Sequence, residues 1–362
     1  MTDNDRDKAA EPSAEGPSEI VAAPVGLDKT ETAPADGETA APVDSAEPPA
    51  VDDEDESALG KNAKPPKKKS HWFDDLKAIF WLILAVLTFH SCVAKPFYIP
   101  SESMMPGLLK GDRLVVSKYP YGWSWVSPSF HIFPRWQGRI WGEMPRRGDI
   151  VIVTPPGESS DYIKRVIGLP GDTIEVVDGN VILNGRALPR EARPAAMIPM
   201  DANVTCGDDR DLDTQRFRRE VNGRWYCQLP VFREYLPDGR SYDTIDTGPS
   251  MGDEYPREGH APITIPASHV FLMGDNRDHS ADSRFPQGER YMGLGGPVPW
   301  ENIGGRAEFI TFSLDGSSSY WNPVSWFTAL RGGRAGSSLH PASGPPRQGP
   351  PQAPPQQGAP RR

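Results

Sequence analysis

Cysteine, histidine and long apolar runs are scarce in this sequence. The 362 residues include three cysteines and seven histidines. So few cysteines exclude a disulfide-dense miniprotein, and no cluster of cysteine and histidine has the spacing of a zinc site. We therefore expect neither a metal ion nor a cofactor. Hydrophobic residues (37%) and aromatic residues (9%) are still too frequent for a chain that is disordered throughout.

The negative charge of the chain is confined to its N-terminal end. Residues 1–60 hold 17 acidic and 3 basic side chains, whereas residues 61–362 hold 32 acidic and 36 basic ones. The first segment is mostly Ala, Pro, Glu and Asp, and it cannot bury enough apolar surface to fold. We predict a disordered acidic tail over residues 1–70 that ends in a basic run. The overall charge argues neither for nor against nucleic-acid binding, and we expect no nucleic-acid partner.

A single strongly apolar stretch follows the basic run. The 17 residues from Ala78 to Ala94 carry no formal charge when His90 is neutral, and about 17–25 residues are needed to cross a bilayer. We predict a transmembrane helix over residues 71–95, with a buried core helix as the alternative. The preceding basic residues predict a cytoplasmic N-terminus and an exported C-terminal part. A cleaved signal peptide is disfavoured because no small-residue cleavage site follows the stretch.

Short β-branched runs separated by Gly and Pro turns dominate the rest of the chain. They predict a mainly β, antiparallel domain over residues 96–330, with a polar insertion at about 190–262. Residues 331–362 include eight prolines and six glycines, which predicts a second disordered tail. The predicted strands are 113–117, 149–154, 162–167, 173–177, 181–183, 270–273 and 307–312.

Two stretches interrupt this β pattern. Residues 119–141 hold eight aromatic side chains in 23 positions, which favours a bilayer-facing surface slightly over burial in the core. The polar insertion contains Cys206 and Cys227, which could pair in an oxidising compartment. Two unpaired buried thiols are the alternative. Cys92 lies in the apolar stretch, and we expect it to be inert.

A serine between two prolines follows the apolar stretch, in Pro100-Ser101-Glu102-Ser103-Met104-Met105-Pro106. The two prolines would place this serine on a rigid turn, although a linker or capping serine is the ordinary alternative. Histidine is the usual base for a serine nucleophile, but no histidine here lies in a nucleophile-elbow or triad context. A carboxylate or a lysine therefore has to be considered.

Lys164 is the strongest candidate for that base. Alternation along a strand places it on the same face as Tyr162 and Val166. Burial among such neighbours would lower the pKa of its amine and make it a useful base near neutral pH. A strand lysine that extends to solvent is the alternative.

A third polar segment, residues 273–284, supports the catalytic interpretation. Asp275, Asp278 and Asp282 resemble a calcium loop, but Arg277 and Arg284 would repel a cation. A network of Asp–Arg pairs that holds one serine in place fits this composition better.

Together these segments resemble the bacterial type I signal peptidases, membrane-bound serine endopeptidases that remove signal sequences from exported proteins. The resemblance covers about residues 75–313, and the two tails lie outside it. It implies a mostly antiparallel β domain with an apolar surface facing the membrane. Five ordered motifs carry it, at residues 100–106, 111–116, 147–151, 162–172 and 274–284.

The resemblance also implies a role for individual residues. Ser103 corresponds to the nucleophile, Lys164 to the general base and Ser280 to the serine that orients the lysine amine. The hydroxyl of Ser101 and the backbone N–H of Ser103 would form the oxyanion hole. The supporting network would be Asp275, Arg165, Asp282 and Arg284, and the substrate pockets would be lined by Ile99, Pro100, Met104, Leu108, Tyr162 and Ile163.

The implied substrates are preproteins whose signal peptides end in an Ala-x-Ala-like stretch, cleaved through an acyl-enzyme. The implied location is the bacterial plasma membrane, with one span and with the peptidase domain outside the cytoplasm. Membrane lipid and the protein export machinery are further expected partners.

The sequence departs from the family pattern at three points. Glu102 stands where glycine is frequent, and we expect its side chain to point to solvent. His279 replaces a common asparagine, and we expect it to lie near the site without a catalytic role. One span is evident where many relatives have two.

Three other interpretations share features of this sequence. Self-cleaving repressors use a Ser/Lys dyad on a related β core, but they are soluble and carry a DNA-binding region. A specialised processing peptidase of conjugation or pilus assembly is closer, and the sequence separates it poorly. A membrane-anchored β scaffold without catalysis is the third.

Overall fold

The computed structural model describes residues 72–128, 134–207, 212–256, 260–288 and 290–344. The tails predicted over 1–70 and from 345 onward lie outside these described residues, as do Phe130 and Phe133 of the aromatic segment.

The predicted apolar span forms helix α1 (Trp72–Cys92). Among the described residues it is the one helix that is long and apolar enough to cross a membrane by length and composition. None of its residues is buried, which argues against the core-helix alternative. Strand β1 (Ala94–Tyr98) follows at once, and Trp123 Nε1 donates a hydrogen bond of 3.0 Å to the Cys92 carbonyl.

The remaining described chain is mainly antiparallel β structure, which confirms the predicted fold class. Two short helices accompany it, α2 (Leu212–Gln215) and α3 (Pro323–Thr328). The strands are β2 (Asp112–Ser117), β3 (Ile150–Val153), β4 (Tyr162–Gly168), β5 (Thr173–Val177), β6 (Asn180–Leu183), β7 (Arg186–Ala187), β8 (Arg190–Pro199), β9 (Arg218–Val221), β10 (Arg224–Tyr235), β11 (Arg240–Ile245), β12 (Ile263–Thr264), β13 (His269–Met273), β14 (Val298–Pro299), β15 (Ile303–Ser313) and β16 (Ala342–Ser343).

The principal sheet has seven strands in the order β1-β2-β15-β3-β4-β13-β14. Strand β4 lies between β3 and β13, with Lys164 opposite Val151 and Arg165 opposite Met273. Both faces of β4 are covered, because Ile163 packs in one apolar cluster and Val166 in another. Side chains on both faces of β4 are therefore buried.

The stretch predicted as a polar insertion is itself a sheet. Strands β8, β10 and β11 lie within residues 190–262 and pair in the order β16-β11-β10-β8, with β9 beside β10. Their alternation is diluted by arginine and glutamate, which is why the sequence pattern missed them. Cys206 and Cys227 are joined by a disulfide with a Cα–Cα distance of 5.4 Å, inside the apolar cluster of this sheet.

The predicted boundary at residue 330 is too early. Residues 331–344 are described, and strand β16 pairs with β11. Arg334 forms an ion pair with the buried carboxylate of Asp112, and Arg331 forms one with Asp201. Glycine and proline content suggested a tail, but these two arginines attach the segment to the folded domain.

The aromatic segment divides between core and surface. Tyr121 and Trp125 are buried, whereas Tyr119 and Trp141 are exposed. Neither of the two expected environments therefore describes the whole segment.

Candidate active site

Ser103 sits on a turn that the backbone closes at both ends. Ile99 N–H donates to the Asp112 carbonyl, and Gly111 N–H donates to the Ile99 carbonyl, each at 2.9 Å. The Asp112 side chain accepts a hydrogen bond of 2.8 Å from Leu109 N–H. These bonds fix the position of Ser103, which is only 6% exposed.

Lys164 reaches this serine from strand β4. Its Nζ lies 3.0 Å from Ser103 Oγ, within hydrogen-bond distance, and the lysine is 4% exposed. Nζ also lies 5.6 Å from the centre of the Tyr162 ring. A chain separation of 61 residues is thus closed by the fold.

Burial lowers the pKa of Lys164 to about 8. The carboxylates of Asp282 and Asp275 act in the opposite direction, and Arg284 adds to the lowering. An amine with this pKa is neutral in about one molecule in ten at pH 7, against fewer than about one in a thousand for an exposed lysine. Such an amine can accept the proton of a hydroxyl within hydrogen-bond distance.

The loop after β13 holds the serine turn from the other side. Asn276 N–H donates to the Ser103 carbonyl at 3.1 Å, and Asn276 Nδ2 donates to the Glu102 carbonyl at 3.2 Å. A Cβ at Gly274 would lie 2.6 Å from the Ser103 carbonyl oxygen and 2.2 Å from Ser280 Oγ. Only glycine leaves room for this approach.

The four residues predicted as a supporting network form two buried ion pairs. Arg165 binds Asp275 through two hydrogen bonds of 2.7 and 2.6 Å. Arg284 binds Asp282 through two hydrogen bonds of 2.9 Å, and Asp282 also accepts a bond from Gly274 N–H. The carboxylates of both pairs act on the pKa of Lys164.

Two predicted roles find only part of their geometry. Ser101 Oγ lies 3.4 Å from Ser103 Oγ and is exposed, and its role in an oxyanion hole stays a prediction. Ser280 Oγ is buried but has no hydrogen-bond partner among the described residues, and the expected bond to Lys164 is not formed. Its role in orienting the lysine stays a prediction.

Most of the predicted pocket residues are buried beneath the site. Ile99, Met104, Leu108 and Ile163 belong to one apolar core cluster. Tyr162 is half-buried and Pro100 is exposed. None of the six lines the cavity of about 790 Å³ that borders Ser283 and Arg284.

The two residues that depart from the family pattern, Glu102 and His279, lie close together. Glu102 is half-buried rather than fully solvated, and it lines a small cavity together with His279. His279 Nε2 lies 3.3 Å from Thr214 Oγ1, on the inserted sheet's side of the loop.

A third buried ion pair was not predicted. Glu234 on β10 accepts hydrogen bonds from Arg277 at 2.6 Å and from the Tyr242 hydroxyl at 2.7 Å. No local pattern points to Glu234, because it lies in the stretch predicted as a polar insertion.

A buried serine hydroxyl beside a buried amine of lowered pKa is the arrangement of a serine hydrolase that uses lysine as its base. Comparison with known proteins agrees. The family described as "Signal peptidase, peptidase S26" matches residues 72–312. The chain belongs to this family, and the prediction that it is a serine peptidase is confirmed at that level.

Among curated relatives, signal peptidase I of Rickettsia typhi is 34% identical over 239 residues, covering 64% of this chain and 77% of the relative. The enzyme of Rickettsia canadensis is 33% identical over 244 residues, 66% of this chain and 78% of the relative. A signal peptidase I structure from Enterococcus faecalis V583 matches with a TM-score of 0.22 and 21% identity, over 45% of this chain and 97% of that chain. A match at that score does not bear on the fold.

Proposed function

We propose that this chain cleaves N-terminal signal peptides from exported preproteins, with Ser103 as nucleophile and Lys164 as general base. The single observation that carries the proposal is the 3.0 Å contact between Lys164 Nζ and Ser103 Oγ, with both side chains buried. Its relatives named signal peptidase I support the substrate class.

The first half of the reaction forms an acyl-enzyme. Lys164 Nζ takes the proton of Ser103 Oγ as that oxygen attacks the scissile carbonyl carbon. The resulting oxyanion accepts hydrogen bonds from Ser103 N–H and the Ser101 hydroxyl, and one such donor contributes about 3–4 kcal/mol in comparable sites. The lysine ammonium then gives its proton to the amine nitrogen, and the C–N bond breaks.

The second half releases the signal peptide. Lys164 accepts a proton from water, whose oxygen attacks the ester carbon of the acyl-enzyme. The ester bond to Ser103 Oγ breaks, and that oxygen recovers the proton from the lysine. The amine is again neutral and ready for the next cycle.

An extended substrate has a strand edge to pair with. β13 pairs with β4 only as far as Arg165, so the Tyr162–Lys164 end of β4 has β3 on one side and no strand of the described residues on the other. A peptide added there would make main-chain hydrogen bonds beside the nucleophile. The apolar residues around Ser103 are closely packed. A substrate with small side chains next to the scissile bond therefore suits this strand edge.

The enzyme acts at a membrane, with α1 as its anchor. The basic residues at 61–70 precede α1 in the sequence and favour a cytoplasmic N-terminus. Residues 314–330 begin next to the serine turn, where Leu314 N–H donates to the Gly111 carbonyl at 3.1 Å. Several apolar side chains of this segment are exposed. Trp321 is 96% exposed, and an aromatic ring in that state suits the lipid interface. Contact with the export machinery is part of this proposal.

The test of the reaction is cleavage of a synthetic signal-sequence peptide by the full chain in detergent, with the cut site mapped by mass spectrometry. We expect a single cut after an Ala-x-Ala-like stretch, and Ser103→Ala should abolish it. Cleavage at scattered positions, or unchanged cleavage by Ser103→Ala, would contradict the proposal. A serine-directed acylating probe that labels the wild-type chain but not Ser103→Ala would separate a peptidase from a non-catalytic scaffold.

The membrane surface is tested by comparing proteoliposomes of phosphatidylethanolamine and phosphatidylglycerol with detergent micelles. Trp321→Ser combined with Phe327→Ser should lower kcat/KM several-fold in proteoliposomes and little in micelles. Trp225→Ser is the matched control, because this exposed tryptophan lies on β10 of the inserted sheet. Equal effects of the two changes in proteoliposomes would contradict a lipid-facing role for 314–330.

A further inference from the structure

The inserted sheet is joined to the catalytic loop through the backbone. Ile245 N–H, at the end of β11, donates to the Asp275 carbonyl, and Arg277 N–H donates back to the Ile245 carbonyl, each at 2.9 Å. The loop that carries Ser280 and Asp282 therefore rests on this sheet as well as on β13.

Side chains also connect the inserted sheet to strand β4. The carboxylate of Glu234 binds Arg277 at 2.6 Å and the Tyr242 hydroxyl at 2.7 Å. The Tyr242 ring lies 4.4 Å beneath the guanidinium carbon of Arg165, which is the chain neighbour of Lys164. Arg277 Nε also donates to the Gly274 carbonyl at 3.2 Å. Glu234 thus contacts both the loop and, through Tyr242, the strand that form the site.

Glu234 is ionised in this position. Burial acts to raise its pKa, but the charge of Arg277 and the hydrogen bonds from Arg277 and Tyr242 outweigh burial, so the pKa lies below its ordinary value. Arg277 cannot lose its proton in the accessible pH range. The pair is therefore two opposite charges held together out of water.

The charges in this buried region balance. Three arginines and three carboxylates are each no more than 7% exposed. With neutral Lys164 their sum is zero, and with protonated Lys164 it is one positive charge. A buried net charge is costly, so the balance among these groups bears on how readily the lysine holds a proton. Asp282, Asp275 and Arg284 act directly on the pKa of Lys164, and Arg277 and Glu234 act on that of Asp275. The six are Arg165, Arg277, Arg284, Glu234, Asp275 and Asp282.

We propose that Glu234 is a positioning residue for the reaction, which fixes Arg277 in the catalytic loop and cancels its charge there. This inference rests on the proposed Ser103/Lys164 chemistry. It gives the inserted sheet a part in the reaction, since Glu234 is the sheet's contribution to the charge balance and Tyr242 donates a hydrogen bond to Glu234. Asp275, Asp282, Arg284, Tyr162 and Ser103 are the groups that face the amine directly, and Glu234 acts through Arg277 and Arg165.

The test is the pH dependence of kcat/KM for the full chain with the signal peptide. Glu234→Gln keeps the shape and a hydrogen-bond acceptor but leaves the Arg277 charge uncancelled. The uncancelled charge should move the ascending limb of the kcat/KM–pH profile toward acid by up to about one pH unit. Glu234→Gln combined with Arg277→Met removes both charges. The ascending limb of the kcat/KM–pH profile of this double variant should return to the wild-type position.

Two further variants keep the test sharp. Glu234→Asp retains the charge, and its limb should stay at the wild-type position even if its rate falls. Asp243→Asn is the matched control, because the Arg233–Asp243 pair joins the neighbouring residues of the same two strands at the surface. It should move neither the limb nor the rate. Thermal unfolding of every variant shows whether the fold is retained.

If the ascending limb of the pH profile of Glu234→Gln stays at the wild-type position, with or without a lower rate, the inference is overturned. Glu234 would then have only a structural role. A double variant whose limb stays displaced would overturn it as well. Both results would leave the proposed function intact as long as the wild-type chain cleaves and Ser103→Ala does not. Cleavage by Ser103→Ala would instead reject the Ser/Lys reaction itself.

Discussion

Two buried lysines in this protein share one property and differ in another. Burial lowers the pKa of both Lys164 and Lys118 to about 8, with the nearby Lys95 adding to the effect on Lys118. Lys164 Nζ donates to the hydroxyl of Ser103, whereas Lys118 Nζ donates to the backbone carbonyl of Ser127. Both side chains are almost fully removed from solvent, and their hydrogen-bond partners are different.

The comparison separates two requirements of a lysine base. Burial supplies a neutral amine, but a carbonyl oxygen has no proton to give and a hydroxyl does. Only Lys164 meets both requirements. A lowered pKa by itself is therefore no indication of catalysis in this chain, and the proposed role of Lys164 rests on its contact with Ser103.

The largest effect is expected from removing either member of the dyad. Ser103→Ala and Lys164→Met should each lower kcat/KM for the signal peptide by about 10⁴-fold or more, because residues that act as a unit fail together. The double variant should be no worse than either single one. Strictly additive losses would show that the two side chains act independently.

Replacing Lys164 should also have a smaller effect on stability: it should raise the free energy of unfolding, whereas it lowers activity. The wild-type protein holds Lys164 at a pKa of about 8 when folded, against about 10.4 when unfolded, so protonation favours the unfolded state. Wild-type stability should therefore rise as the pH increases from about 8 toward 10.4.

Lys164→Met removes this penalty, less the cost of the hydrogen bond lost at Ser103. Its free energy of unfolding at pH 7 should exceed that of the wild type by about 1–3 kcal/mol, and the gain should shrink by pH 10. Denaturant unfolding at both pH values checks this prediction. A variant less stable than wild type at pH 7 would mean that the buried amine stabilises the fold.

The smallest effect on cleavage is expected at the other lysine. Lys118→Met should change kcat/KM by no more than about threefold, because its amine contacts no hydroxyl that takes part in the reaction. The assay is the same peptide cleavage, at pH 7 and pH 9. A loss comparable to that of Lys164→Met would erase the distinction between the two lysines.

The sequence predicted one half of this comparison better than the other. Lys164 lies in a β-branched strand within a recognisable motif, so both its burial and its role could be predicted. Lys118 follows the predicted strand 113–117 without any motif, and its burial depends on how residues 119–128 fold over it. That arrangement is tertiary, and no local pattern carries it.

The same limit explains Glu234. It contacts Arg277, which is 43 residues away, and its strand alternates poorly because arginines and glutamates line the sheet. The seven predicted strands, by contrast, all coincide with observed ones, because each is a short β-branched run between turn residues. Local patterns thus predicted these seven strands, while the strands of the inserted sheet and the pairing of distant charges needed the fold.

The pH dependence of Ser103 acylation tests the central claim most directly. The rate at which a serine-directed acylating probe labels the wild-type chain should rise with pH and level off with a midpoint of about 8, the pKa of Lys164. The labelling should vanish in Ser103→Ala. A midpoint near 10.4, the value of an exposed lysine, would contradict the claim that a buried neutral amine activates this serine.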